Sequence, residues 1–155
     1  MNDAKTFLVE NAQLIFLNFS GKEGQYNREG DRNFSVFLDD EMAKLMSKDG
    51  WNVKELSGRD EDEPDRPYIQ IAVSYKMRPP KIVLRSSTGN TNLTEETVGV
   101  LDWADIRTVD LIARAYEWDV NGKKGIKAYL QSMFVTIEED ALERKYAILD
   151  QEDNA

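Results

Sequence analysis

Three observations predict a mainly β protein: a five-stranded antiparallel barrel with an inserted helix and a second helix between its third and fourth strands. Apolar and polar residues alternate in several runs, two of them more than a dozen residues long. Those two runs are separated by Asn121-Gly122, a pair that favours a two-residue hairpin turn. Only two internal stretches carry helical spacing behind a capping residue.

In chain order, Phe7–Phe19 is apolar-rich and reads as one long strand, bulged near Asn11. Gly21, Gly24 and Gly30 punctuate the loop that follows. Arg32–Leu38 alternates, with Phe34, Val36 and Leu38 on one face. Asp39 and Asp40 are placed to cap a short helix striped by Met42, Leu45 and Met46 and ended by Gly50. Trp51–Leu56 reads as a short strand and Ser57–Pro67 as a charged, mobile loop. Tyr68–Met77 sets Ile69, Ile71, Val73 and Tyr75 against polar partners. Pro79-Pro80 ends it, and Lys81–Ser86 is a further strand. Thr94 is an expected N-cap for a helix over Glu95–Trp103, with Glu95 and Glu96 in its first turn. Arg107–Val120 and Gly125–Ile137 are the two long hairpin strands, and Glu138–Tyr146 reads as a terminal helix. With the first helix counted as an insertion, this is the strand order of an OB-fold barrel. It spans residues 1–146 and leaves 147–155 as an acidic tail expected to be disordered.

Composition removes whole classes of chemistry. The 155-residue chain has neither cysteine nor histidine. Disulfides, thiolate metal sites, a Cys nucleophile and the Ser–His–Asp triad are therefore excluded. No apolar run approaches the ~20 residues of a membrane helix, and the N-terminus does not read as a signal peptide. An intracellular protein is expected, with no metal, no cofactor and no membrane partner. The net charge is -9, but 138–155 contributes -5 and the loop Arg59–Arg66 contributes -3, leaving the body near neutral. A low overall charge of this kind does not exclude a locally positive face.

The hairpin sorts its residues onto two faces. With Val120 opposite Lys123 and a constant register, one face pairs Val109–Phe134, Leu111–Ser132, Ala113–Leu130 and Ala115–Ala128, a set suited to a core. The other pairs Ile112–Gln131, Arg114–Tyr129, Tyr116–Lys127 and Trp118–Gly125, so that aromatics alternate with cations. Tyr–Lys and Tyr–Arg pairs also stabilise a sheet that binds nothing. Further residues favour a nucleic-acid face: the cations Lys123 and Lys124 at the turn, the cations Lys76, Arg78, Lys81 and Arg85 with no acid between them, and Lys22, Tyr26, Asn27 and Arg28 in the glycine loop. Rings stack on bases without regard to sequence while cations follow the phosphates. The expected contacts are Arg114, Tyr116, Trp118, Lys123, Lys124, Lys127 and Tyr129, with Arg78, Lys81, Arg85, Tyr26 and Arg28 as a second tier.

The stretch Gly125–Asp140, with Pro79-Pro-Lys-Ile-Val83 and Val109-Asp-Leu-Ile112 before it, resembles bacteriophage single-stranded DNA-binding proteins of the OB-fold type, and the resemblance extends over Val9–Tyr146. It implies a non-enzymatic protein of the infected bacterial cytoplasm that coats single-stranded DNA in replication or recombination. It also implies an acidic tail that meets replication or recombination proteins or competes with DNA. The tail ends Asp150-Gln-Glu-Asp-Asn-Ala155, without the terminal aromatic of the best-known pattern.

Two rival classes are open at this stage. Pro64-Asp65 with Glu143-Arg-Lys145 superficially fits a Mg²⁺-dependent nuclease, although solvated loop and tail charge accounts for the same residues. A structural or adaptor protein of a phage would share the β-rich composition. Trp51 and Trp103 read as core or lid residues rather than ligand contacts.

Overall fold

The computed structural model describes residues 5–25, 27–76 and 78–138. These form β1 (Thr6–Val9), β2 (Leu14–Asn18), β3 (Arg32–Phe37), α1 (Asp40–Lys48), β4 (Val53–Leu56), β5 (Arg66–Val73), β6 (Lys81–Ser86), β7 (Gly89–Leu93), a 3₁₀ helix (Val98–Asp102), β8 (Ile106–Val120) and β9 (Lys123–Ile137). The main path through the sheet runs β1-β8-β9-β5-β3-β2. β9 is the hub. It pairs antiparallel with β8 along its length, parallel with β5 at Ala128 and Tyr129, and parallel with β6 from Ser132 to Thr136. No helix among the described residues is long and apolar enough to cross a membrane.

The fold is mainly β with one α-helix, but it differs from the five-strand, two-helix expectation in three places. The long first strand is two strands. β1 pairs with β8 and β2 with β3, and between them Asn11 takes φ 51°, a left-handed conformation that Asn tolerates. There Ala12 N–H donates to Val109 O, and Phe37 N–H donates to Gln13 O. The ribbon thus leaves one neighbour for the other, joining the two ends of the strand order.

The second helix is only a 3₁₀ turn. Thr97 Oγ1 accepts from Thr94 N–H, and Val98, Gly99 and Val100 are poor α-formers. Val98 and Leu101, three residues apart, are both fully buried, the spacing at which a 3₁₀ helix repeats. Asp102 then docks the turn by accepting from Phe19 N–H, Ser20 N–H and the Ser20 hydroxyl. Strand β7 is an addition. Its residues are exposed except Leu93, so no alternation betrays it.

Inserted helix α1 forms as expected. Met42 N–H donates to Asp39 Oδ1 at 2.7 Å, Asp40 and Glu41 occupy the first turn, and Lys48 the last. Its buried residues are Ala43 and Met46, however, and Leu45 faces solvent. The core combines Phe34, Val36, Ile69, Ile71, Leu111, Ala113 and Leu130 from the sheet with Val98 and Leu101. Phe19 stacks on Phe34 and Phe7 meets Trp51 edge-on, both with ring centroids 5.0 Å apart. Burying each such side chain contributes roughly 1.5–3 kcal/mol.

The hairpin turn is the one the Asn-Gly pair demands, with Asn121 at φ 52° and Gly122 at φ 81°. From Val120–Lys123 to Ala113–Leu130 the register is as predicted. Beyond that it shifts by one residue. Ile112 faces Ser132 rather than Gln131, Leu111 faces Met133 rather than Ser132, and Val109 faces Val135 rather than Phe134. The extra residue on β9 lets Leu130 and Met133 both point into the core, as a β-bulge does. Beyond Glu138, whose N–H donates to Asp105 O, the expected terminal helix Glu138–Tyr146, the acidic tail and Glu143 of the nuclease reading lie outside the described residues.

Candidate nucleic-acid interface

The outward face of β3, β5, β9 and β8 carries a continuous row of register partners: Asn33, Ala72, Tyr129 and Arg114. Because partners in a sheet share a face, the hairpin's aromatic and basic residues adjoin the outer surface of β5 and β3. A groove of about 790 Å³ runs over this row. Its lining includes Trp118, Lys124, Lys127 and Tyr129 from the hairpin, Gln70, Ala72, Ser74 and Lys76 from β5 and the link after it, and Asn27, Arg28, Arg32 and Asn33 opposite.

Tyr129 is the centre of the hairpin cluster. The Arg114 guanidinium carbon lies 5.3 Å from its ring centroid and the Lys127 ammonium 5.2 Å. Tyr116 meets Tyr129 edge to face at 5.9 Å. Tyr116 is 54% exposed and Trp118 38%. Aromatic planes and cations are therefore held together in a water-facing groove, so that one ligand can meet both stacking surfaces and charges.

The expected site residues do not all converge. Trp118, Lys124, Lys127, Tyr129 and Arg28 line the groove, while Arg114 and Tyr116 stand on its β8 shoulder and Lys123 at the exposed hairpin tip. Arg28 also pairs with Asp31 at 3.7 Å, with both side chains exposed. Lys81 and Arg85 sit on β6 opposite Ser132 and Thr136, outside the groove lining, with the Lys81 ammonium 5.9 Å from the Phe134 ring. Arg78 is exposed in the link before β6 and does not line the groove. Tyr26 lies outside the described residues.

Several lining residues were not anticipated. Arg32 opens β3 and reaches the groove with 20% of its side chain exposed. Tyr75 keeps the period of the inward face of β5 past the end of that strand, so it packs against the edge of the core and also lines the groove. Burial pushes the Tyr75 phenol above its ordinary value. Arg32 opposes that shift, and Glu95 and Glu96 reinforce it. Trp51 is a core residue as expected, but Trp103 is 77% exposed, with the Lys22 ammonium 4.8 Å from its ring. Among the described residues no group of three or more carboxylates converges on a metal-binding position.

A family model described as a putative phage ssDNA-binding domain matches residues 2–155. No curated protein matches the chain. Among solved structures it is similar to the single-stranded DNA-binding protein of bacteriophage Enc34. For the C-terminally truncated form the identity is 13% and the TM-score 0.55, covering 87% of each chain. For the untruncated form the identity is 11% and the TM-score 0.55, covering 87% of this chain and 82% of that one. For that protein in complex with ssDNA the identity is 11% and the TM-score 0.50, covering 87% and 88%. At these identities the likeness is one of fold, and the family match spans nearly every residue. The chain belongs to the phage ssDNA-binding domain family.

Proposed function

We propose that the groove over β3, β5 and β9 binds single-stranded DNA without strong sequence preference, and that the protein protects single strands during phage replication or recombination. The observation that carries this is the Tyr129 cluster, with two cations and a second, half-exposed ring around one partly buried tyrosine on the groove floor. Family membership and fold likeness to a phage protein solved with ssDNA point the same way. Arg114, Tyr116, Trp118, Lys124, Lys127 and Tyr129 are the contacts. Bases stack on the rings, and phosphates run along the cations.

The frame for this site is an OB-type barrel whose first strand is split into β1 and β2, followed by β3, β5, β8 and β9. Parallel pairing of β5 with β9 and the join through Ala12 and Gln13 support it. The protein acts without catalysis, in the cytoplasm of the infected cell, and its acidic C-terminal segment serves protein partners or competes with DNA. The test is a mobility shift with fluorescent oligo-dT at two salt concentrations. Binding that weakens with salt and survives without Mg²⁺ supports the proposal. Cleavage that requires Mg²⁺, or no binding at either salt, overturns it.

A further inference from the structure

The groove wall opposite the hairpin holds three side chains that are poorly satisfied by one another. Arg32 Nη1 lies 3.5 Å from Glu95 Oε1, and Nη2 donates to the Glu95 carbonyl at 3.4 Å. Both distances exceed the 2.7–2.9 Å of a good charge-assisted bond, and the contact is not a bidentate fork. The Glu95 side chain is more than half exposed, and such a pair is weak and screened. Arg32 Nε and the Tyr75 hydroxyl are buried and have no hydrogen-bond partner among the described residues. The Arg32 guanidinium carbon stands 5.8 Å from the Tyr75 ring centroid, and Arg32, Tyr75 and Glu95 all line the groove. Buried donors of this kind are normally satisfied, so these two, on residues that line the same groove, leave hydrogen-bonding capacity for an acceptor that enters it.

We propose that Arg32 and Tyr75 form a subsite for one backbone phosphate of the bound strand, and that Glu95 occupies the guanidinium until that phosphate displaces it. The subsite rests on the groove's being the single-stranded DNA site. A backbone phosphate carries the same single charge as the Glu95 carboxylate, but its two non-bridging oxygens match the planar fork of arginine and can close on it at a shorter distance than Glu95 does. Its oxygens can also take the Arg32 Nε and Tyr75 hydroxyl protons that Glu95 leaves unmet. Once displaced, Glu95 is free to return to water. The acid thus lowers affinity without blocking the site, and a coated strand is easier to release.

The test is a double-mutant cycle on the full chain with oligo-dT at low salt. Glu95→Gln is expected to tighten binding about two- to fivefold, the size of an exposed ion pair. In an Arg32→Gln background the same change is expected to do nothing. Glu96→Gln removes an equal charge from the adjacent residue and controls for general repulsion. Arg32→Gln should flatten the slope of log affinity against log salt by about 0.7, the signature of one phosphate on a single strand. Tyr75→Phe should weaken binding about two- to tenfold while the Tm holds or rises, since an unpartnered buried hydroxyl is removed. Equal tightening by Glu95→Gln with and without Arg32, an equal effect from Glu96→Gln, or an unchanged salt slope in Arg32→Gln overturns the subsite. Tyr129→Ala separates the two failures. If it weakens binding while the cycle shows no coupling, only the subsite falls. If wild type does not bind oligo-dT, the groove assignment falls and the subsite with it.

Discussion

Trp118 lies across Gly125. A Cβ placed on Gly125 would come within 2.5 Å of Trp118 Cζ2 and 2.7 Å of Cε2, distances no side chain tolerates. The two residues are cross-strand partners near the turn of the hairpin, both line the groove, and the glycine is what lets the indole come this close to the β9 backbone. Gly125→Ala should therefore lift the indole off the hairpin. Oligo-dT binding is expected to weaken by up to the ~1–3 kcal/mol of one stacked base. The partly exposed site should change stability little. On a Trp118→Ala background the glycine change should add nothing, and fluorescence titrations of the four proteins check this. An additive effect would mean that Gly125 acts otherwise than through Trp118.

The bulge after Leu130 reverses the roles of two neighbours on β9. Met133 is fully buried, whereas Phe134 is 39% exposed. Met133→Ala is expected to destabilise by ~2–5 kcal/mol, as large-to-small core changes do. Leu111→Ala should fall in the same range. Phe134→Ala should cost much less, and Tyr116→Ala should leave stability nearly unchanged while weakening DNA binding. Urea melts rank all four. With the unbulged register, Phe134→Ala would be the damaging substitution and Met133→Ala the mild one.

That bulge marks how far the sequence could be read. Residues Ile126, Ala128 and Leu130 alternate inward, and the next inward pair is Met133 and Val135, so the change of phase at Gln131-Ser132 is written in the apolar pattern. A register propagated from the turn alone runs past it. The site's hairpin half was legible because it is local: the turn chemistry sets the pairing, and the pairing places Tyr129 between Arg114 and Lys127. Its other half was not, because Arg32 meets Tyr75 and Glu95 only through tertiary packing, and a sequence pattern carries no signal for that. The split of Phe7–Phe19 is of the same kind. Its apolar content is that of a strand, and only the transfer from β8 to β3 breaks it at Asn11.

Basic residues inside and outside the groove should separate by their salt dependence. Lys127 lines the groove beside Tyr129, while Arg85 sits on β6 facing Thr136. Each phosphate contact on a single strand contributes about -0.7 to the slope of log affinity against log salt. Lys127→Gln is expected to flatten the slope by about that amount and to weaken oligo-dT and mixed-sequence oligonucleotides alike. Arg85→Gln, with the same change of charge, should leave the slope within error of wild type. Equal flattening by both would move the DNA path onto β6.

Tyr75 gives the fold an alkaline limit. Its phenol is held above the ordinary 10.0, first by burial, with Glu95 and Glu96 adding to the shift and Arg32 opposing it. The folded state therefore keeps the Tyr75 proton at a pH where the unfolded chain has released it. When the folded state binds more protons, stability falls as pH rises. The Tyr75 contribution is fully present below about pH 10, the unfolded value for tyrosine, and is lost as pH climbs through the raised folded value. Tyr75→Phe removes this proton altogether, so the difference in Tm between wild type and variant should be constant from neutral pH to about pH 9 and should shift in favour of the variant above pH 10. Thermal melts at half-unit steps through that range read it directly. Parallel curves throughout would show that Tyr75 ionises as freely in the fold as in the open chain.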